Sequence, residues 1–195
     1  MAINTIDTFS EVALITISRD GGTETTYAAY IESFKESGGA KDFESIPTVA
    51  GGRLKKFTPQ EDFEVTIEGY GLEVGTDSGS SGLGWYDLMY TQDTSQPMSI
   101  SVDRTRDNFR LAIMVTDDTS QTSAAATTIT GKKAMRKTYS NGHFTNVEAD
   151  FSDKVMKFSI TFKCPPFDSS GAANVVYEST DGTLTKVLPA LAAYT

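Results

Sequence analysis

Apolar and polar residues alternate with a period of two along most of the chain. In a β-strand successive side chains point to opposite faces, so this period predicts half-buried strands. Residues 12–18, "VALITIS", form a β-rich run; "RDGG" at 19–22 is a turn signal, and 25–34, "TTYAAYIESF", returns as a second strand. Residues 35–51 are mixed polar with Gly38, Gly39, Pro47, Gly51 and Gly52 and read as a loop, followed by a short strand at 53–58. "DFEVTIEG" places Phe63, Val65 and Ile67 on one face and Glu64, Thr66 and Glu68 on the other. Further strands are expected at 97–103 and at 109–116, the second with Phe109, Leu111, Ile113 and Val115 on one face.

The C-terminal part is the most regular. "KKAMRKTY" (132–139), "SNGH" (140–143) and "FTNVEADF" (144–151) predict a hairpin centred on Asn141-Gly142, because a type I′ turn needs φ > 0 at both central residues. "SDK" (152–154) is a second turn, and "VMKFSITF" (155–162) follows with Met156, Phe158, Ile160 and Phe162 inward. Three segments interrupt the alternation: the Gly/Ser-rich 69–84, the short helix-like "WYDLMY" at 85–90, and the small polar run at 117–128. About ten strands and one short flanking helix make the chain mainly β, an antiparallel β-sandwich or partial barrel. No repeat or linker divides it, so 1–195 is read as a single domain.

Composition narrows the function classes. The chain has 195 residues, a formal net charge of -9 and a pI near 4.6. A surface that grips phosphate backbones is normally basic, so stable nucleic-acid binding is excluded as the principal role. A single cysteine, Cys164, allows no intrachain disulfide and fits folding in a reducing cytosol. The start, "MAINTIDTFSEV", lacks the charged and apolar regions of a signal peptide, and no run is long enough for a membrane helix.

Catalytic chemistry is sparse. His143, the only histidine, sits beside the expected turn without partners for a triad or a zinc site. Cys164 precedes Pro165 and reads as a small buried hydrophobe rather than a thiolate nucleophile. "GYGLEVG" carries its third glycine one residue late for a dinucleotide fingerprint, "GSSGLG" lacks nucleophile-elbow spacing, and no EF-hand spacing occurs. No cofactor or metal is therefore expected. Glu64/Glu68 and Glu148/Asp150 each project from one face of a strand, as a glycosidase pair or as a solvated face. The basic run Lys132, Lys133, Arg136 and Lys137 stands out in an acidic chain; it is either complementary to an acidic face of another copy or a solvated strand end. "CPP" at 164–166 ends the last long strand sharply, since proline cannot donate to a ladder. That either frees "FDSSGAANV" to cross toward a neighbour or ends an edge strand above an ordinary loop.

The hairpin–strand ending at 131–163, the loop "PPFDSSGAANV" at 165–175 and the Gly/Ser-rich loop at 69–84 together resemble the major tail tube protein of a tailed phage or archaeal tailed virus. The layout extends over most of the chain, and the motif-level match over roughly 98–178. That resemblance implies a non-enzymatic virion protein. Its copies would form rings, six to a ring, whose strands join into one continuous inner barrel, and the rings would stack into a tube for viral DNA. It implies partners of four kinds: the chain itself, a tape measure protein, tail tip and terminator proteins, and genomic DNA passing without specific binding. It implies no membrane. It further implies manufacture in the host cytoplasm and residence in the virion tail.

Carried onto this chain, 69–84 becomes the inter-ring loop, with Gly71, Leu72, Val74 and Leu83, while 1–10 and 175–195 become terminal arms. Lys132, Lys133, Arg136, Lys137, Pro165, Pro166 and Phe167 become inter-subunit residues, and Glu64, Glu68, Glu148 and Asp150 line the lumen. An acidic lining suits passage of a polyanion. Two other readings compete. One is a β-sandwich surface-binding or decoration module recognising host glycan, with Trp85, Tyr86 and Tyr90 as platform. The other is a hydrolase using the paired carboxylates.

Overall fold

A computed structural model describes residues 12–19, 24–26, 31–70, 108–129, 132–181 and 186–187. The strands are β1 (Val12–Arg19), β2 (Glu24–Thr26), β3 (Ile31–Gly38), β4 (Phe43–Pro47), β5 (Arg53–Phe57), β6 (Phe63–Tyr70), β7 (Phe109–Thr116), β8 (Thr128–Ile129), β9 (Lys133–Ser152), β10 (Val155–Cys164), β11 (Val175–Asp181) and β12 (Lys186–Val187). No helix occurs among the described residues. The expected helix at 85–90, the strand at 97–103, loop residues 71–84 with Gly71, Leu72, Val74 and Leu83, and the arm 1–10 lie outside them.

One eight-stranded antiparallel sheet, in the order β2-β1-β7-β9-β10-β6-β3 with β11 also on β9, curls into an open half-barrel. The fold is thus mainly β and antiparallel, as the alternation requires. β9 is the hinge of the curl. Its residues 134–142 pair with β7 on one edge and its residues 133–139 with β11 on the other; its residues 143–152 pair with β10.

The hairpin expected at Asn141-Gly142 does not form, because β9 runs through both residues. Only Asn141 takes a left-handed φ, of 54°. Register shifts in the β7 and β10 ladders flank the pair, so the Asn-Gly signal marks a bend between the two halves of a strand. The reversal comes at the end of β9, in the second turn expected at 152–154, where Asp153 and Lys154 have φ of 51° and 65°, as a type I′ turn demands. Gly142 is also fixed by packing, since a Cβ there would enter the Phe162 ring. We expect Gly142→Ala to destabilise the fold by about 2 kcal/mol, the usual cost of overpacking a tight core. Urea unfolding followed by circular dichroism checks this, and an unchanged midpoint would contradict it.

The curl encloses the main core. Ile15, Ile17, Val65, Ile67, Leu111, Tyr139, Phe158, Ile160 and Phe162 are all within 5% of complete burial. At the bend, Phe144 packs edge-on to Phe109 (centroids 5.0 Å apart) and against Phe162 (5.1 Å), and Tyr139 contacts Phe162 and Phe63. Cys164 is buried here, its Sγ donating to the Ser140 carbonyl at 2.9 Å, and burial pushes its thiol up to about 12. A second, smaller core lies on the opposite face of β1, β7 and β9, where Leu14, Ala112, Met114 and Ala134 are covered by Ala124 and Ile129.

The segments read as a second strand and a loop divide differently. β2 sits at one outer edge of the sheet and β3 at the other, and 35–51 contains the end of β3 and all of β4. Among the described residues β4 and β5 pair only with each other, as a hairpin inserted between β3 and β6.

Candidate functional site

Strand parity and register build a polar face on the wall formed by β3, β6, β10 and residues 143–152 of β9. On β6, Val65 and Ile67 enter the core, so Glu64, Thr66 and Glu68 point away from it. Lys163, Thr161 and Ser159 of β10 stand opposite these three in order. β9 adds Asn146, Glu148 and Asp150 opposite Thr161, Ser159 and Lys157. β3 adds Ser37, Lys35 and Ser33 opposite Glu64, Thr66 and Glu68. The four carboxylates singled out in the sequence therefore share one face, and Glu68 and Glu148 flank Ser159 from either side.

Their electrostatic settings differ. Glu64 pairs with Lys163 at 2.9 Å, an exposed bridge that adds little stability. Lys157 bonds Glu32, the bulged residue of β3, at 2.9 Å and lies 5.3 Å above the Tyr70 ring. The Glu32 hydrogen bond holds the Lys157 ammonium above its ordinary value. Glu68 accepts from Ser33 and Glu148 from Asn146, and among the described residues no cation lies within ion-pair distance of Glu68, Glu148 or Asp150. The face is mixed with an acidic surplus, and it is open. Glu68 and Glu148 are separated by two strand spacings, about 10 Å. Among the described residues no group of three or more His, Cys, Asp or Glu could hold a metal ion.

The basic run does not stay together. Lys132 is exposed, and Lys133 donates its backbone N–H to Asp117 at 2.7 Å. Arg136 turns the opposite way from its neighbours and is 1% exposed. Its guanidinium binds Glu178 of β11 at 2.6 Å and donates to the carbonyls of Ala126 (3.0 Å) and Ala124 (3.4 Å). Arg136 is thus an internal anchor that ties the 117–128 segment to the sheet, which corrects its reading as part of an outward strip. Lys137 faces the other way, bonding Glu36 of β3 at 2.8 Å and lying 5.2 Å from the Phe63 and Tyr139 rings. That pair bridges the two halves of the curl.

The Pro-Pro break leads back into the same chain. Asn174 donates from its backbone to Pro166 and from its side chain to Pro165, and its carbonyl accepts from Ser140 at 2.8 Å. Phe167 bridges to Ala173 and is 49% exposed. Residues 175–181, expected in a terminal arm, form β11 on β9, because this tight loop returns the chain to the sheet. Asp168 holds the loop through bonds from Ser170 and the Ala172 N–H, each 2.8 Å.

The Ser170 hydroxyl, followed by the Ala172 amide, keeps the Asp168 carboxyl below its ordinary value of 3.8. A lowered folded value means the restraint is fully present above 3.8 and is lost as pH falls through the folded value. The amide shifts of Ser170 and Ala172 should therefore titrate with a midpoint below 3.8, and Asp168→Asn should abolish the transition. A midpoint at or above 3.8 would contradict this account.

The sequence reading missed the β4–β5 hairpin as a surface of interest. Phe43, Leu54 and Phe57 are each more than half exposed there. The available signal was two short runs, "DFESIP" and "RLKKF", around a Gly-Gly turn.

No family model matches the chain, and a search of curated proteins finds no match. Among solved structures, the chain overlays on one in the cryo-EM structure of the anti-feeding prophage (AFP) baseplate, 6-fold symmetrised. The TM-score is 0.50 at 8% identity, covering 94% of this chain and 100% of that one. Lower scores relate it to the sheath/tube terminator of the extracellular contractile injection system PVC (TM-score 0.48, 15% identity, 89% and 99% covered) and to the AFP tube terminating cap (0.46, 13%, 92% and 95%). The baseplate likeness runs nearly end to end in both chains and carries the fold alone. The chain shares the mainly β fold of that baseplate chain.

Proposed function

We propose that this chain is a structural, self-assembling subunit of a tail-like tube, without a catalytic role. Copies join side by side through the edges of the four-strand wall, the rings stack, and the polar face of the wall lines the lumen. The carrying observation is the segregation of that wall. Along β6 and β10 one face is buried in the core; the other face of the wall is polar, open and surplus in carboxylate. Both its edges, β3 and residues 145–152 of β9, have no further strand partner among the described residues.

An open edge is an aggregation liability unless it is covered or closed, and cyclic closure removes it. Four strands from each of about six copies would give a barrel of roughly two dozen strands. At ~4.8 Å spacing and ~40° tilt its backbone diameter is about 50 Å, wide enough for a DNA duplex. A carboxylate-rich lining lets a polyanion slide without sticking, which suits genomic DNA in a virion tail. Tape measure, tip and terminator proteins would bound such a tube.

Negative-stain electron microscopy of the purified protein across a concentration series tests the reading. Rings or hollow tubes of uniform width are expected; monomers at every concentration would overturn it.

A further inference from the structure

The two open edges of the wall carry unmatched groups of complementary kinds. On the β3 edge Lys35 is exposed on the polar side, and among the described residues no carboxylate lies within ion-pair distance of it. The other lysines of the wall strands, Lys157 and Lys163, already hold Glu32 and Glu64. On the β9 edge Glu148 and Asp150 stand on the same polar side without a cation. The reverse side carries a second mismatch. Phe34 of β3 packs partly buried against the main core, whereas Phe151 of β9, on that side by its pairing with Met156, is 68% exposed.

Ring closure decides which residues of these edges can meet. The four strands alternate in direction, so in a ring of equivalent copies β3 runs antiparallel to the next copy's β9. One rung crosses the wall through Ser33, Glu68, Ser159 and Glu148. Untilted strands would set Ser33 against the neighbour's Glu148. Tilt steps this register, and the step is even because like faces must stay together. Over four strands a step of two residues tilts the strands by about 19°, four by about 35° and six by about 46°. Four reaches the usual barrel tilt, and six would carry Ser33 past the end of β9 at Ser152. Steps of four or more in the opposite direction would set β3 on the part of β9 where Gly142 already pairs with Phe109.

We infer that β3 of one copy pairs with its neighbour's β9 in the register that sets Ser33 opposite Ser152. This rests on the tube reading and names the residues that fix the seam between copies. In this register Lys35 stands opposite the neighbour's Asp150 on the polar side, and Phe34 stands opposite Phe151 on the reverse. One alignment therefore gives the unpaired cation a carboxylate and covers the exposed ring. Directly opposed side chains lie about 5 Å apart at Cβ, close enough for both pairs to interact. The paired segments also end together. Regular pairing of β3 begins at Ser33, after the bulged Glu32, and β9 ends at Ser152.

Cysteine cross-linking reads the register, because directly opposed residues are within disulfide reach and a shift of two residues is not. The native Cys164 is buried and leaves a silent background. A chain carrying Ser33→Cys and Ser152→Cys, oxidised after assembly, should give a ladder of multiples of 21.1 kDa on a non-reducing gel, ending at the size of one ring. Ser33→Cys combined with Glu148→Cys or with Asp150→Cys should give no ladder. Lys35→Glu should raise the concentration needed for rings about fivefold, and adding Asp150→Lys should reverse most of that loss. Microscopy of the same samples separates the two claims. Rings that cross-link through position 148 or 150, or not at all, overturn the register, as do rings indifferent to Lys35→Glu. Absence of rings and tubes from the parent protein overturns the tube reading beneath it.

Discussion

Replacing Arg136 with methionine is expected to destabilise the protein by about 3–5 kcal/mol, because it leaves the partner of a buried ion pair uncompensated. Glu178 is only 14% exposed at its side chain, and the carbonyls of Ala124 and Ala126 lose their donor at the same time. The 117–128 segment that covers the smaller core should loosen first, exposing Leu14 and Met114. Methionine fills much of the volume of the arginine stem, so lost charge pairing rather than a cavity dominates the effect. The double variant Arg136→Met with Glu178→Met should recover most of the loss, since exchanging a whole buried pair for apolar residues is often neutral. A chemical-denaturation cycle over the four proteins measures this. A single variant within about 0.5 kcal/mol of the parent, the range of an ordinary surface substitution, would show that the pair is not structural.

The second large effect concerns the wall. Converting Glu68 and Glu148 to lysine swings the charge of each copy by four units at its centre, on either side of Ser159. Neither carboxylate has an ion-pair partner among the described residues, so the exchange breaks no salt bridge of the fold. Both side chains are exposed, and stability should shift by less than about 0.5 kcal/mol. In the proposed tube the change is repeated around every ring, and the lining turns from repelling polyanions to holding them. Tubes assembled from the double variant should retain nuclease-protected DNA that the parent tubes exclude, and release it at high salt. Equal, low DNA content in both would contradict a lumenal position for these residues.

Much of the fold was legible because alternation reports burial directly. Val65 and Ile67 of β6, Phe109, Leu111 and Ile113 of β7 and Phe158, Ile160 and Phe162 of β10 face the main core as parity requires, whereas Met156, expected inward, lies past its end and is 44% exposed. The shared face of the four carboxylates was only half legible. Parity puts Glu64 beside Glu68 and Glu148 beside Asp150, but uniting the pairs needs β10 between β6 and β9, which is register information. Asn141-Gly142 misled because a left-handed residue serves a bend as well as a turn, and the Phe162 ring that demands glycine lies twenty residues away in the chain. β4 escaped, inside the segment read as a loop, because both of its faces are exposed and no alternation marks it, whereas β5 is the short strand expected at 53–58. Arg136 read as a surface cation because its partner Glu178 reaches it only once β11 has returned along β9.

The central claim is that the polar face of the four-strand wall looks inward on a tube. A helical reconstruction by cryo-electron microscopy of the assembled protein tests it most directly. The account predicts β3 of one copy paired with residues 143–152 of its neighbour's β9, and Glu64, Glu68, Glu148 and Asp150 pointing toward the axis. A tube with these four carboxylates on its outer surface would contradict it.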